Sequence, residues 1–93
     1  MVRHIVFFKL NDKDDAKEVK EKLLTLKEKV DVVKYLEVGI NFADEDRAYD
    51  LSLIVDVKTK DDLKKYAKDE YHQKVIKYIK TKANDTKVVD YES

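Results

Sequence analysis

The sequence predicts an α+β domain: a ferredoxin-like β-α-β-β-α-β subunit, with a four-stranded antiparallel sheet and its helices on one face. Three observations carry this reading. Short runs rich in β-branched and aromatic residues lie at 2–10, 32–42, 49–57 and 86–92. Between them, 13–29 and the stretch after Thr59 space their apolar residues by three and four, as amphipathic helices do. The chain has 93 residues, one Gly and no Pro, which leaves no linker to separate two parts, so 1–93 reads as a single domain.

Each element follows from its own residues. "VRHIVFFKL" (2–10) is too short and too β-branched for a helix, so it reads as a strand. "NDKDD" then offers N-cap side chains and first-turn acids, and Ala16, Val19, Leu23, Leu26 and Val30 give the helix over 13–29 one apolar stripe. "VVKYLEVGINF" alternates, with Leu36, Val38, Ile40 and Phe42 on one face. After the polar turn "ADEDRA", "YDLSLIVDV" alternates again through Tyr49, Leu51, Leu53, Val55 and Val57. Thr59 with Asp62 three residues on approaches a capping box for the second helical region. The apolar face through Leu63, Tyr66 and Ala67 is out of phase with the one through Tyr71, Val75, Ile79 and Ala83. The second helix is therefore expected to split near Asp69, a good N-cap. "TKVVDYE" closes the sheet.

Composition narrows the function classes. Twenty basic residues balance twenty acidic ones, which argues against nucleic acid or an anionic membrane surface as partner. Only Arg3 and Arg47 among the basic residues are Arg, so bidentate phosphate clamps are scarce. RNA-recognition domains share the predicted strand order, but "YDLSLIVDV" lacks their exposed aromatics and Gly. The chain has no Cys, hence no disulfide or thiolate metal site, and no signal-peptide pattern is evident; both point to the cytoplasm. "IVFF" is far too short to cross a bilayer. "DKDD" lacks the glycine and distal glutamate of a calcium loop and reads as helix-start acids. "DEDR" offers loop carboxylates near strand ends that could hold a hard cation but reads first as a solvated loop. The histidines lack metal-ligand spacing, so no metal and no cofactor is expected.

The first strand predicts a partner. Val6, Phe8 and Leu10 point one way, Ile5 and Phe7 the other, yet helices on one side of a sheet cover only one of these sets. The uncovered set is best buried against a second copy, giving a homodimer. The sequence leaves open which alternating set meets that copy.

Four segments together, "VRHIVFFKL", "RAYDLSLIVDV", "YAKDEYHQKVIKYI" and "VVDYE", resemble the stress-responsive α/β-barrel (Dabb) family over nearly the whole chain. The resemblance implies a ferredoxin-like subunit and a dimeric α/β barrel. A plant polyketide cyclase in that family implies site residues as well. It matches this chain in a first-strand histidine, His4, and in a tyrosine followed six residues later by a histidine, Tyr66 and His72, its catalytic pair. Two departures stand out. The family's His-Pro-x-His segment reads Asp69-Glu70-Tyr71-His72 here, and a pocket histidine of the cyclase aligns with Leu51, so the cyclase reaction itself is not carried over.

The residues set their own conditions on such a site. A histidine in the first turn of a helix starting near Asp69 faces the positive helix end, which favours the neutral ring. Six residues of unbroken helix turn about 600°, which leaves Tyr66 and His72 roughly 120° apart around the axis. They converge only if the helix breaks between them. His4 shares a strand face with Val6 and Phe8 and needs a hydrogen-bond partner if that face is buried. Two functional readings follow. In the first, a dimeric protein with no assigned chemistry takes a small apolar or aromatic molecule between sheet and helices, with His4 and Leu51 in the ligand pocket. In the second, a cofactor-independent cyclase, lyase or isomerase uses His72 as base and Tyr66 as donor to a developing oxyanion. The first is preferred, with simple structural roles for both histidines weighed beside it.

Overall fold

A computed structural model describes residues 1–93. The order is β1 (Val2–Leu10), a 3-10 turn (Lys13–Asp15), α1 (Ala16–Leu24), α2 (Leu26–Lys29), β2 (Tyr35–Ile40), β3 (Leu51–Val57), α3 (Lys60–Lys68), α4 (Glu70–Lys82) and β4 (Ala83–Glu92). The strands form one antiparallel sheet in the order β2-β3-β1-β4, which is the ferredoxin-like arrangement. The sheet is open in the single chain.

Pairing sorts every strand residue onto one of two faces. Three rows run across the sheet beneath the helices: Leu36–Val55–His4–Asp90, Val38–Leu53–Val6–Val88 and Ile40–Leu51–Phe8–Thr86. Most of their apolar members are buried with Val19, Leu23 and Leu26 of the first helical segment, Tyr66 of α3, and Val75 and Ile79 of α4. The helix-free face carries the rows Tyr35–Asp56–Arg3–Tyr91, Glu37–Ile54–Ile5–Val89 and Gly39–Ser52–Phe7–Lys87. Phe7, Val89, Tyr91 and Tyr35 are all exposed there. Val38 and Leu53 therefore belong to the core, and the set left uncovered is that of Ile5 and Phe7.

Local chemistry moved several boundaries from their expected places. The helix over 13–29 is interrupted at Thr25, whose hydroxyl donates to the Lys22 carbonyl at 2.6 Å and also meets the Tyr71 hydroxyl at 2.6 Å. β2 is shorter than 32–42, because Asn41 bonds Ala43 through both its side-chain oxygen and its nitrogen and turns the chain out of the ladder. Phe42 is consequently fully exposed rather than sharing the face of Leu36 and Val38. β4 begins at Ala83, earlier than its composition suggests, because β1 offers a partner edge as far as Leu10.

The expected break in the second helix falls at Asp69. Its backbone is extended (φ −58°, ψ 135°), and its carboxylate accepts the backbone N–H of His72 at 3.0 Å. Asp69 thus ends α3 and caps α4. Replacing it with Ala should lower stability by about 1 kcal/mol in urea unfolding. An unchanged midpoint would mean that the cap carries no weight.

Candidate functional site

Between the helix-facing side of β1 and the α3–α4 pair lies a cleft of about 310 Å³, lined mainly by apolar side chains such as Val6, Leu26, Leu53, Val75 and Val88. This volume lies at the lower end of the range found for small-molecule pockets. Three of the polar groups meet in it: His4, Tyr66 and His72. The Tyr66 ring lies edge-on to His4 with centroids 5.8 Å apart and is tilted against His72 at 4.1 Å.

Each side chain arrives there for a traceable reason. Thr59 caps α3 by accepting from Asp62 N–H at 3.1 Å, and two turns later Tyr66 faces the sheet, 1% exposed. The Asp69 break then re-aims the chain, so that His72, in the first turn of α4, returns toward Tyr66. His4 comes from the middle of β1, on the face shared with Val6 and Phe8.

The electrostatics of the three groups differ. Burial pushes the His72 imidazole below its ordinary value of 6.5, and nearby His4 adds to this, against opposing pulls from the Ala67 carbonyl and Asp69. His72 Nδ1 lies 3.3 Å from the Ala67 carbonyl, so the neutral ring donates there and keeps Nε2 free. Tyr66 is buried without compensation. Desolvation alone pushes its phenol well above the usual range, and its hydroxyl has no hydrogen-bond partner. His4 Nδ1 sits 2.5 Å from a carboxylate oxygen of Asp90 on β4.

Leu51 does not join this cleft. It stands in the Phe8–Thr86 row, four residues along β3 from the partner of His4, about 13 Å away at strand rise. It is 2% exposed in the core and borders a separate, shallower groove with Phe7, Ile40 and Phe42. The β3 residue that lines the cleft is Leu53. In the second groove, Glu45 and Arg47 pair with each other at 2.5 Å. Asp90 escaped the sequence reading because "VVDYE" gives it no local signal; only the β1–β4 register puts it opposite His4. No cluster of three or more metal-ligating side chains occurs, and no helix is long and apolar enough to cross a membrane.

A ferredoxin-like sheet with a small apolar cleft under its split second helix defines a class of compact α+β domains. Within it, the chain belongs to the stress responsive A/B barrel domain family, which it matches over residues 2–93. It is similar to a dimeric protein of unknown function from Bacteroides fragilis, at 30% identity over 99% of this chain and 95% of that one, with a TM-score of 0.84. The Arabidopsis thaliana protein At3g17210 superposes with a TM-score of 0.87 at 15% identity, covering 100% and 95% of the two chains. A hydroxynitrile lyase from Passiflora edulis superposes with a TM-score of 0.83 at 18% identity, covering 97% and 90%. At these lower identities the likeness is one of fold. No curated protein matches the sequence.

The unpartnered hydroxyl makes a direct prediction. A buried polar group left unsatisfied costs roughly 1–3 kcal/mol. Tyr66→Phe should therefore raise the unfolding free energy of the ligand-free protein, by about 1 kcal/mol. A clear loss of stability would show that the hydroxyl is bonded in the folded protein.

Proposed function

We propose that the protein binds a small, mainly apolar or aromatic compound carrying an oxygen in the cleft between sheet and helices. The buried Tyr66 hydroxyl carries this reading: it is the one fully buried side-chain polar atom without a partner, and an oxygen on a bound ligand would satisfy it. The apolar walls account for the body of the ligand and the polar triad for its head.

A second reading rests on the same triad. Acid–base chemistry next to a carbonyl needs a neutral base and a donor to the oxygen on which charge develops. His72, kept neutral by burial and with Nε2 free, fits the base. It would take a proton from the carbon beside the carbonyl, the Tyr66 O–H would hold the resulting oxyanion, and His72 would return the proton to the product. The hydroxynitrile lyase from Passiflora edulis has the same fold, which supports a cofactor-independent lyase, isomerase or cyclase. The experiment is a screen of apolar carbonyl and phenolic compounds against the wild type, His72→Ala and Tyr66→Phe. Binding or turnover should fall at least tenfold in both variants while both stay folded. Compounds that bind all three proteins equally would place the ligand elsewhere.

We also propose that two copies pack through the helix-free faces of their sheets to make an α/β barrel. Ile54, Ile5 and Val89 lie side by side across that face, with Phe7 in the next row. The similar protein from Bacteroides fragilis is dimeric. The only charge pair of the β1–β3 ladder on this face, Arg3 with Asp56, is bidentate at 2.8 Å for both bonds, so neither charge would enter the interface alone. Ile5→Asp should give a folded monomer in sedimentation, with its helical and strand content intact. A wild type that sediments as a monomer at micromolar concentration would contradict the barrel.

A further inference from the structure

The His4–Asp90 contact decides which nitrogen of His4 serves the cleft. The two residues stand directly opposite each other on β1 and β4, in the row that faces the helices. The contact is formed at Nδ1, 2.5 Å from Asp90 Oδ1. A carboxylate only accepts, so the neutral ring must carry its proton on Nδ1. Nε2 is then bare, on a ring that lines the cleft and lies edge-on to Tyr66. We infer that Asp90 is a positioning residue of the cleft: it holds His4 as the Nδ1–H tautomer and so makes Nε2 an acceptor for a ligand hydroxyl.

This rests on the small-molecule reading of the cleft and narrows it. His72 is committed at Nδ1 to a carbonyl in the same way. The polar end therefore offers two bare imidazole nitrogens and one phenolic donor. A ligand that pairs the phenolic donor and at least one of the nitrogens presents an O–H beside an oxygen acceptor, and a second O–H would pair the other nitrogen. That is the pattern of an enol next to a carbonyl, or of a phenol with a neighbouring oxygen substituent. A simple ketone or ether would leave both nitrogens unsatisfied in an apolar site, which costs affinity. The same carboxylate–imidazole arrangement fixes tautomer and ring orientation in hydrolase triads and at metal-bound histidines.

Nitrogen-15 NMR of the imidazole rings tests the inference without any ligand. At a pH where His4 is neutral, the wild type should show protonated Nδ1 and bare Nε2. Asp90→Asn and Asp90→Ala should move the ring toward the Nε2–H form. The companion measurement is binding of 2-nitrophenol, with 2-nitroanisole as the probe lacking the hydroxyl. The nitrophenol should bind about tenfold more weakly to both Asp90 variants, while the anisole binds all three proteins alike. A wild-type ring protonated on Nε2, or one tautomer common to all three proteins, would overturn the assignment. So would nitrophenol binding that ignores Asp90 although the tautomer changes. If neither probe binds the wild type, the small-molecule reading and the ligand half of this inference both fail, and the ring shifts alone then decide the role of Asp90.

Discussion

The hydrogen bond from the His72 backbone N–H to the Asp69 carboxylate is the contact on which the cleft depends. Without it, α3 and α4 have no fixed boundary, and an unbroken helix turns His72 roughly 120° away from Tyr66. With it, α3 ends with Tyr66 facing the sheet and α4 starts with His72 facing Tyr66, ring against ring at 4.1 Å. The bond is worth about 1 kcal/mol as a cap. Its larger effect is geometric, because it decides whether two polar groups share a solvent-poor space or point to different surfaces.

A second constraint comes from the sheet. One layer of helices covers one face, and the core residues of β1, β2 and β3 are those whose alternation matches it. The opposite alternation in β1, Ile5 and Phe7, is as apolar as the covered one, and it is continued sideways by Ile54 and Val89. On the helix-facing side the polar groups gather at one place, with His4 in place of another aliphatic residue, Tyr66 and His72 above it and Asp90 beside it, whereas on the outer side Arg3, Asp56, Glu37 and Lys87 flank the apolar run of Ile54, Ile5 and Val89. The sheet thus separates a face suited to another sheet from one holding a polar-headed cleft. Leaving a tyrosine hydroxyl unsatisfied, at roughly 1–3 kcal/mol, is a sizeable fraction of the 5–15 kcal/mol that usually holds such a domain together. Phe would fill the same space without that cost, and this is the ground on which a binding role for the hydroxyl is proposed.

Much of this was legible in the chain, because it is written locally. Alternation identified the two central strands and β-branched, aromatic composition the outer two in sequence, spacing identified the helices, and the out-of-phase apolar faces around a capping Asp located the break at Asp69. The doubly apolar β1 announced an uncovered face, though only the ladder told that Ile5 and Phe7 lie on it while Val38 and Leu53 go inward. What depended on register was not legible. Leu51 and Leu53 occupy the same face and differ by one row, and sequence alignment chose the one that does not reach the cleft. Asp90 is one acid among twenty, and its meaning exists only through its cross-strand partner. Thr25 likewise interrupts its helix through bonds to Lys22 and Tyr71, one of them 46 residues away.

The most direct measurement is a crystal structure of the protein purified from the cells that make it, inspected at the cleft. The account predicts density for a small, mostly apolar molecule, with an oxygen at hydrogen-bond distance from the Tyr66 hydroxyl and within reach of the free nitrogens of His4 and His72. A cleft closed by the chain's own side chains, with the Tyr66 hydroxyl bonded to one of them, would contradict it.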